Sequence, residues 1–481
     1  MLPESTPSGA ALPSMGYQPA LDGLRAVSII GVLFYHAGFS WMHGGFFGVE
    51  VFFVVSGFLI TSLLLQEFER HDRIAFGQFW MRRVRRLFPA LFAMLAAVAV
   101  WAVFWGSQDQ LSQLKRDFPW AIFYVGNWGQ ILGDVPYFAG EPPLLRHLWS
   151  LAVEEQWYLI WPLVFAALVA LIPSRKVIGG LVLAASVGVM VFTFWLHSGS
   201  PTLLAGPPTL FAELDRTNFL YLSTITRSSG LLLGAGAAFL WRPWVWPKAL
   251  GAPVGKILDP LGAAAVAGLC CAFAVASLVE AYVYQWLMPL VSVLSLIAVL
   301  VSVHPAAAGF RWFMSTMPLV EIGKRSYGLY LWSWPIFVIV GATDGSLDLF
   351  LLAMLITIVV SELSYRFIET PVREGVIGRW WGDRSPISWA PVAGGALLVG
   401  CLVTFYLSVG QFDRFKGGED ATFELSDAGD GAAAAPDDTD APLVATSSPG
   451  SSTSSSSPTT TEVPAIVPAS VALVGVSTAN A

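Results

Sequence analysis

The sequence predicts an all-α protein: a polytopic bundle of transmembrane helices with a cytoplasmic N-terminus and an extracytoplasmic C-terminal tail. Three observations predict it. Of 481 residues, 55% are hydrophobic and 12% charged, against about 25% charged in a soluble domain, and mean hydropathy is +0.64. Long apolar runs recur, each of a length that crosses a hydrocarbon core about 30 Å thick. Lys and Arg gather in alternate connections between these runs, as they do in cytoplasmic loops.

Residues 1–16 are polar and lack the basic region of a cleaved signal peptide, so they read as a disordered N-terminus. Apolar runs follow at 24–42, 46–66, 88–106, 147–172, 177–196, 228–243, 257–279, 282–303, 318–341, 347–368 and 388–409, about eleven expected spans. The short apolar segment 119–133 is expected to be interfacial or re-entrant. Basic residues such as Arg70, Arg82, Arg83, Arg85, Arg86, Arg175, Lys256, Arg311 and Arg373 fall in one set of connections. The opposite set holds fewer, among them Lys115, Arg116, Arg146 and Arg227. The first set is therefore expected in the cytoplasm. The last run, within 376–409, leads to a linker at 410–468 that is acidic and then rich in Ser, Thr and Pro, a composition that buries no core. It carries much of the acid behind the net charge of −7. Residues 469–481 end the chain with strand character.

The residues that draw attention are ionisable groups in apolar runs, which are expensive in lipid and usually functional. Arg25 and His36 are eleven positions apart, which on a helix leaves them about 20° apart around the axis and about 16 Å along it. An imidazole titrates near neutral pH and can take a proton from a hydroxyl. A carboxylate would orient such a ring. Glu154 lies at a comparable depth in RHLWSLAVEEQWY, where His147, Ser150, Glu154 and Tyr158 recur at helical spacing on one stripe. Glu50 lies in the second run and reads equally as a partner for an Arg. Arg82, Arg83, Arg85 and Arg86 form a cationic cluster in a connecting loop. Guanidinium groups bind phosphates through paired hydrogen bonds, and the same cluster also fits ordinary membrane anchoring. It is too short to suggest nucleic acid. Lys324, Arg325, Ser326, Tyr327, Glu362, Arg366 and Glu369 gather near the same side as a ligand site or a salt network, and Arg227 is expected at the outer mouth of its run. Cys270, Cys271 and Cys401 lie in apolar runs with neither a disulfide framework nor metal spacing. No phosphate-binding glycine loop, zinc spacing or nucleophile elbow occurs.

Taken in order, these segments resemble the acyltransferase 3 family of integral membrane proteins over residues 17–375. Arg25 and His36 are similar to its first-helix signature, Arg83 and Arg86 to its loop signature, and WSLAVEEQWY to its fourth-helix motif with Glu154 at the acidic position. GGFFGVEVFFVVSGF and IGKRSYGLYLW also resemble family segments. Two positions depart from the pattern: Ser333 stands where the family often has His, and Ile225 where it often has an acid. The eleventh run and the linker resemble the subgroup fused to a C-terminal SGNH-type hydrolase domain, here expected to be missing or truncated. Val476 stands where that fold's Asp is expected, and Ser477 at its Ser.

The resemblance implies an O-acyltransferase, most simply an acetyltransferase, in the plasma (inner) membrane of a bacterium. Acyl-CoA, here acetyl-CoA, would be the donor substrate, with no permanently bound cofactor and no metal. Arg83, Arg86, Ser326 and Tyr327 would bind it. Arg25, His36 and Glu154 would be catalytic, with His36 as general base or acyl relay and Glu154 orienting it or the acceptor. The partners would be membrane lipids and a hydroxyl of an extracytoplasmic glycan or glycolipid. The alternative reading is a transporter or flippase of a lipid-linked sugar with its buried charges as a proton relay, although no internal repeat of the kind such proteins use is visible. A membrane scaffold would leave Arg25 and His36 unexplained.

Overall fold

The computed structural model describes residues 15–133, 142–198, 216–243, 251–277 and 280–375, and among these the regular structure is entirely helical. The helices are α1 (Pro19–His36), α2 (Gly48–His71), α3 (Phe76–Trp105), α4 (Gln108–Ile122), α5 (Gly126–Leu132), α6 (Leu148–Leu171), α7 (Arg175–Ser198), α8 (Arg216–Leu222), α9 (Thr224–Leu240), α10 (Gly251–Val275), α11 (Met288–Ser302), α12 (Ala308–Met314), α13 (Met317–Val340), α14 (Leu347–Ser364) and α15 (Thr370–Arg373). A tight 3-10 segment, Ser40–Phe47, joins α1 to α2, and π-helical turns precede α11 and follow α14.

Six helices among the described residues are long and apolar enough to cross a membrane: Ser40–His71, Phe76–Trp105, Arg175–Ser198, Val254–Val275, Val283–Ser302 and Leu347–Arg373. Four more expected spans coincide with α1, α6, α9 and α13, helices of 18, 24, 17 and 24 residues. The expected run at 388–409, the linker and the C-terminal segment lie outside the described residues, as do residues 1–14. The apolar faces of α7 and α14 point outward, with Val187, Val191, Leu351 and Leu355 exposed, as lipid-facing helices require.

Three boundaries differ from the expectation. The first helix starts at Pro19, whose ring suits the first turn, and ends at His36 instead of running to residue 42. The break comes at Gly38, which sits at φ +76° beside the Thr343 carbonyl, a backbone region that glycine enters without steric cost. The Gly345 N–H donates to the Ala37 carbonyl oxygen at 2.8 Å and holds the chain there. His36 thus closes α1. The third helix starts at Phe76, twelve residues before the expected 88, because Glu67 accepts the Ala75 N–H at 2.7 Å and fixes its entry. The segment 119–133, expected to be interfacial or re-entrant, comprises the end of α4, a turn and α5.

Packing runs along α1 against α13, α2 against α9 and α7 against α9. Between α2 and α9 the backbones approach so closely that a Cβ on Gly57 would strike the Leu231 carbonyl, and one on Gly234 the Val54 carbonyl. Small residues at crossings are how membrane helices gain packing where lipid gives no hydrophobic drive. The same junction holds the most deeply buried ion pair among the described residues. Glu50 of α2 meets Arg227 of α9 at 2.9 Å, with 0% and 1% of the side chains exposed. Ser292 of α11 donates to Glu50 at 2.7 Å. Phe53, Trp149 and Tyr221 place their rings 5.4–5.7 Å from the Arg227 guanidinium. Arg227 is therefore inside the bundle and not at an outer mouth, because a guanidinium paired with a carboxylate and walled by aromatic faces tolerates burial.

Removing one member of this pair strands the other. Glu50→Ala is expected to cost about 3–5 kcal/mol, whereas a Glu50→Met, Arg227→Met double variant should recover much of that loss. Thermal unfolding of the purified protein in detergent, followed by loss of monodisperse elution, checks both.

Candidate functional site

The sequence-predicted residues converge on one chamber. A cavity of about 270 Å³ is lined by Arg25 and Asp22 of α1, Ser56 of α2, Arg83 and Arg86 of α3, Glu154 and Tyr158 of α6, and Tyr327 of α13, with apolar walls from Phe52, Val55, Leu59 and Leu87. A recess of about 50 Å³ lies against it, sharing Arg25, Phe52, Glu154 and Tyr327 and adding Val49, Ser150, Leu151, Ser326 and Tyr330. All of Arg25, Glu154, Arg83, Arg86, Ser326 and Tyr327 thus border one of the two spaces. His36 borders neither.

Each side chain is held by its helix. Arg83 and Arg86 lie on α3 and not in a loop, and their three-residue spacing puts both on one face. The alternating neighbours point elsewhere: Arg82 pairs with Glu67 at 3.3 Å. The Arg83 guanidinium lies 5.0 Å from the Phe79 ring centre and 5.8 Å from that of Tyr158. These faces orient a cation without neutralising it. Arg25 is braced by Asp22 at 3.3 Å, three residues earlier on α1, and Tyr17 donates to the other Asp22 oxygen at 2.7 Å. Desolvation of the Tyr17 hydroxyl, then its bond to Asp22, pushes its pKa up to about 12, so it remains a donor at neutral pH. Trp80 donates to the Tyr158 carbonyl oxygen at 3.1 Å, tying α3 to α6. Trp161 donates to Thr61 at 2.8 Å, tying α6 to α2.

Glu154 is half-buried and accepts a hydrogen bond from Ser56 at 2.7 Å, and Ser56 lies 3.1 Å from the Tyr158 hydroxyl. Its charge neighbours are Arg25 and Arg86. The groups gathered around His36 are different. His36 is 7% exposed, with its ring 4.8 Å edge-to-face from Trp334 and 6.0 Å from Tyr330. Arg146 and His147 lie within electrostatic range of it. Its Nδ1 atom is buried and makes no hydrogen bond to another protein group, and the same holds for His147 Nδ1. The depth match between His36 and Glu154 therefore does not translate into a shared hydrogen bond: Glu154 turns to Ser56 on α2, and His36 to α13.

Tyr330 is the residue between the two regions. It lines the recess, and its ring is 6.0 Å from His36 and 5.6 Å from His147. Its hydroxyl donates to the His147 carbonyl oxygen at 2.8 Å and lies 2.6 Å from Ser150 Oγ. His147 Nε2 meets the Leu331 carbonyl oxygen at 3.0 Å, and Trp334 donates to the Pro143 carbonyl oxygen at 2.8 Å. These bonds lock α13 against the start of α6. The sequence reading missed Asp22, Ser56, Tyr330 and Trp334. Asp22 was detectable, since an acid three residues before a buried Arg is a helical ion-pair spacing. Ser333, at the position where the resembled family has His, is fully buried and donates to the Tyr330 carbonyl oxygen.

Comparison with known proteins follows this geometry. The family model described as "Acyltransferase domain" matches residues 18–366. The chain is similar to the O-acetyltransferase OatA of Staphylococcus aureus strain NCTC 8325 / PS 47, and equally to that of strain COL. Each is 38% identical over 367 residues, covering 74% of this chain and 57% of the relative. The chain thus spans a little over half the length of these relatives. No solved structure matches it.

Replacing Tyr330 by Phe leaves the His147 carbonyl oxygen without this donor. It should lower stability by about 1–3 kcal/mol, read as a lower thermal midpoint in detergent, and Ser333→Ala should change it less.

Proposed function

The chain belongs to the Acyltransferase domain family, and we propose that it is a multi-pass membrane O-acetyltransferase that moves an acetyl group from acetyl-CoA to a hydroxyl of an extracytoplasmic glycan or glycolipid. The observation that carries this reading is the chamber: three guanidinium groups, Arg25, Arg83 and Arg86, border one space inside a helical bundle, opposed by Asp22 and Glu154. A chamber with that balance favours an anionic ligand, and guanidinium groups suit phosphate oxygens. With the basic connections on the cytoplasmic side of a bacterial plasma membrane, the phosphates of CoA would meet Arg83 and Arg86. The pantetheine arm would pass Arg25 towards the recess.

The acceptor would arrive from the other side. His36 would take the proton from its hydroxyl, the oxygen would attack the thioester carbonyl, and the C–S bond would break as CoA leaves as thiolate and is then protonated. The buried, unpartnered Nδ1 of His36 supports the role of base, since a ring with one nitrogen free is available to a hydroxyl. Glu154, held by Ser56 beside Arg25, is better suited to balancing the charge of the donor chamber than to orienting His36. The names of the similar Staphylococcus aureus proteins favour acetyl as the group and oxygen as its acceptor. A flippase of lipid-linked sugars would need no acyl donor, so consumption of acetyl-CoA separates the two readings.

In membranes given labelled acetyl-CoA, His36→Ala should lose about 10²–10⁴-fold in transfer, the usual range for a general base. Transfer at the parent rate would remove His36 from the chemistry. The Arg83→Ala, Arg86→Ala double variant should raise the KM for acetyl-CoA by about tenfold or more, since hydrogen bonds to charged groups contribute about 1.5–3 kcal/mol each. An unchanged KM would reduce the pair to membrane anchors.

A further inference from the structure

The recess between the chamber and Tyr330 has three features that belong together. It shares Arg25, Phe52, Glu154 and Tyr327 with the chamber, so it is the next space a group would enter from there. Its far wall is Tyr330, whose ring stands beside His36. And Ser326, which borders the recess and is 1% exposed, has a hydroxyl with no hydrogen-bond partner in the protein. Buried hydroxyls are usually satisfied, and one that is not calls for a ligand or an explanation.

Size narrows the ligand. A water-sized group needs upward of about 10–15 Å³ on the scale used for buried cavities. A recess of about 50 Å³ holds a carbonyl and a methyl with little to spare. The walls that border the recess but not the chamber are Val49 of α2 and Leu151 of α6, both more than 90% buried, together with Ser150, Ser326 and Tyr330. Val49 and Leu151 both belong to the buried apolar core, and the residue beside each in the chain is tied: Glu50 is paired with Arg227, and Ser150 contacts Tyr330. Such walls do not yield readily to a longer chain, and overpacking a fixed site is costly.

We propose that this recess is the acyl pocket of the donor site, that Val49 and Leu151 set the length of acyl group accepted, and that the Ser326 hydroxyl donates to the acyl carbonyl oxygen. This rests on the acyl-CoA reading of the chamber. It assigns specificity to two aliphatic side chains that touch neither the phosphates nor His36.

The test compares acetyl-, propionyl- and butyryl-CoA as donors for the membrane-embedded protein, in the parent and in Leu151→Ala and Val49→Ala. Truncating either wall should raise the butyryl-to-acetyl ratio of kcat/KM by about tenfold or more, the effect that methylene-sized space has in an apolar pocket. Inhibition by free CoA, which carries no acyl group, should stay unchanged. Val49→Ile, which fills the recess with a methyl and removes nothing, should lower kcat/KM for acetyl-CoA and again leave inhibition by free CoA alone. Ser326→Ala should lower kcat more than it raises KM. A length ratio unmoved by Leu151→Ala and Val49→Ala, or an acetyl rate unmoved by Val49→Ile, overturns the pocket assignment while the donor chamber stands. A parent protein that consumes none of the three thioesters and is not inhibited by CoA removes the chamber reading itself, and the pocket with it.

Discussion

The architecture depends on one carboxylate that has been taken out of water. Glu50 sits in the second helix with no exposed surface, and a lone carboxylate there would be prohibitive. Its only charged partner among the described residues is Arg227, brought by the ninth helix, while Ser292 of the eleventh donates to its other oxygen. The pair therefore dictates which helices surround α2 and at what height. Glycines at the crossing let α2 and α9 come close enough for the bond to form. A buried pair of this kind is weak evidence for net stability, because desolvation offsets much of the attraction. Its value lies in register. A slide of α2 by one turn would separate the charges, and the same slide would carry Phe52 and Ser56 away from the chamber and Val49 away from the recess.

The chamber repeats that logic with the balance left open. Glu50 and Arg227 neutralise one another, whereas Arg25, Arg83 and Arg86 face Asp22 and Glu154 across the same space. Arg25 is already engaged by Asp22, and Glu154 by Ser56. Arg83 is oriented by aromatic rings, which hold a guanidinium without cancelling its charge. Glu155 lies within electrostatic range of Arg83 and Arg86, and in a site of reduced dielectric such charges act more strongly on a ligand than they would in water.

Much of this was legible from the sequence, and the omissions have physical reasons. Arg25 and His36 are read off one helix because spacing alone fixes their relative angle, and the observed α1 holds both. An acid in an apolar run identifies Glu154, and a compact cationic cluster identifies Arg83 and Arg86, as residues needing an explanation, and all three border the chamber. What periodicity cannot supply is how one helix is rotated against the next. Equal depth suggested that Glu154 would meet His36, but depth is one coordinate of three, and the carboxylate faces Ser56 on α2 instead. Arg227 followed a similar course: position near a run's end suggested a surface, and only the packed structure reveals Glu50 waiting inside. The charge of the arginine cluster masks the helical start in the sequence, and that start is set by Glu67, which accepts the Ala75 N–H. Tyr330 and Trp334 were hidden among many aromatic residues whose first explanation is an interfacial belt.

The division between chamber and imidazole has a consequence for any group transferred between them. Arg25 and His36 are about 16 Å apart along one rigid helix. The first faces the cationic space, and the second is enclosed by Trp334, Tyr330 and the Arg146–His147 turn. The helix cannot shorten, so the ligand must span the distance: its charged part can remain with Arg83 and Arg86 only if a slender arm reaches past Arg25. Tyr330 then stands at the last step, held by the His147 carbonyl and Ser150 at the start of α6. These same bonds join α13 to α6, so a movement of Tyr330 would be felt beside both imidazoles at once. On the proposed acyl-CoA reading, the bulk of the donor stays with the arginines and only its slender arm passes Arg25. A phosphate-bearing head at one end and a small reactive group at the other is the ligand shape that this proposal requires.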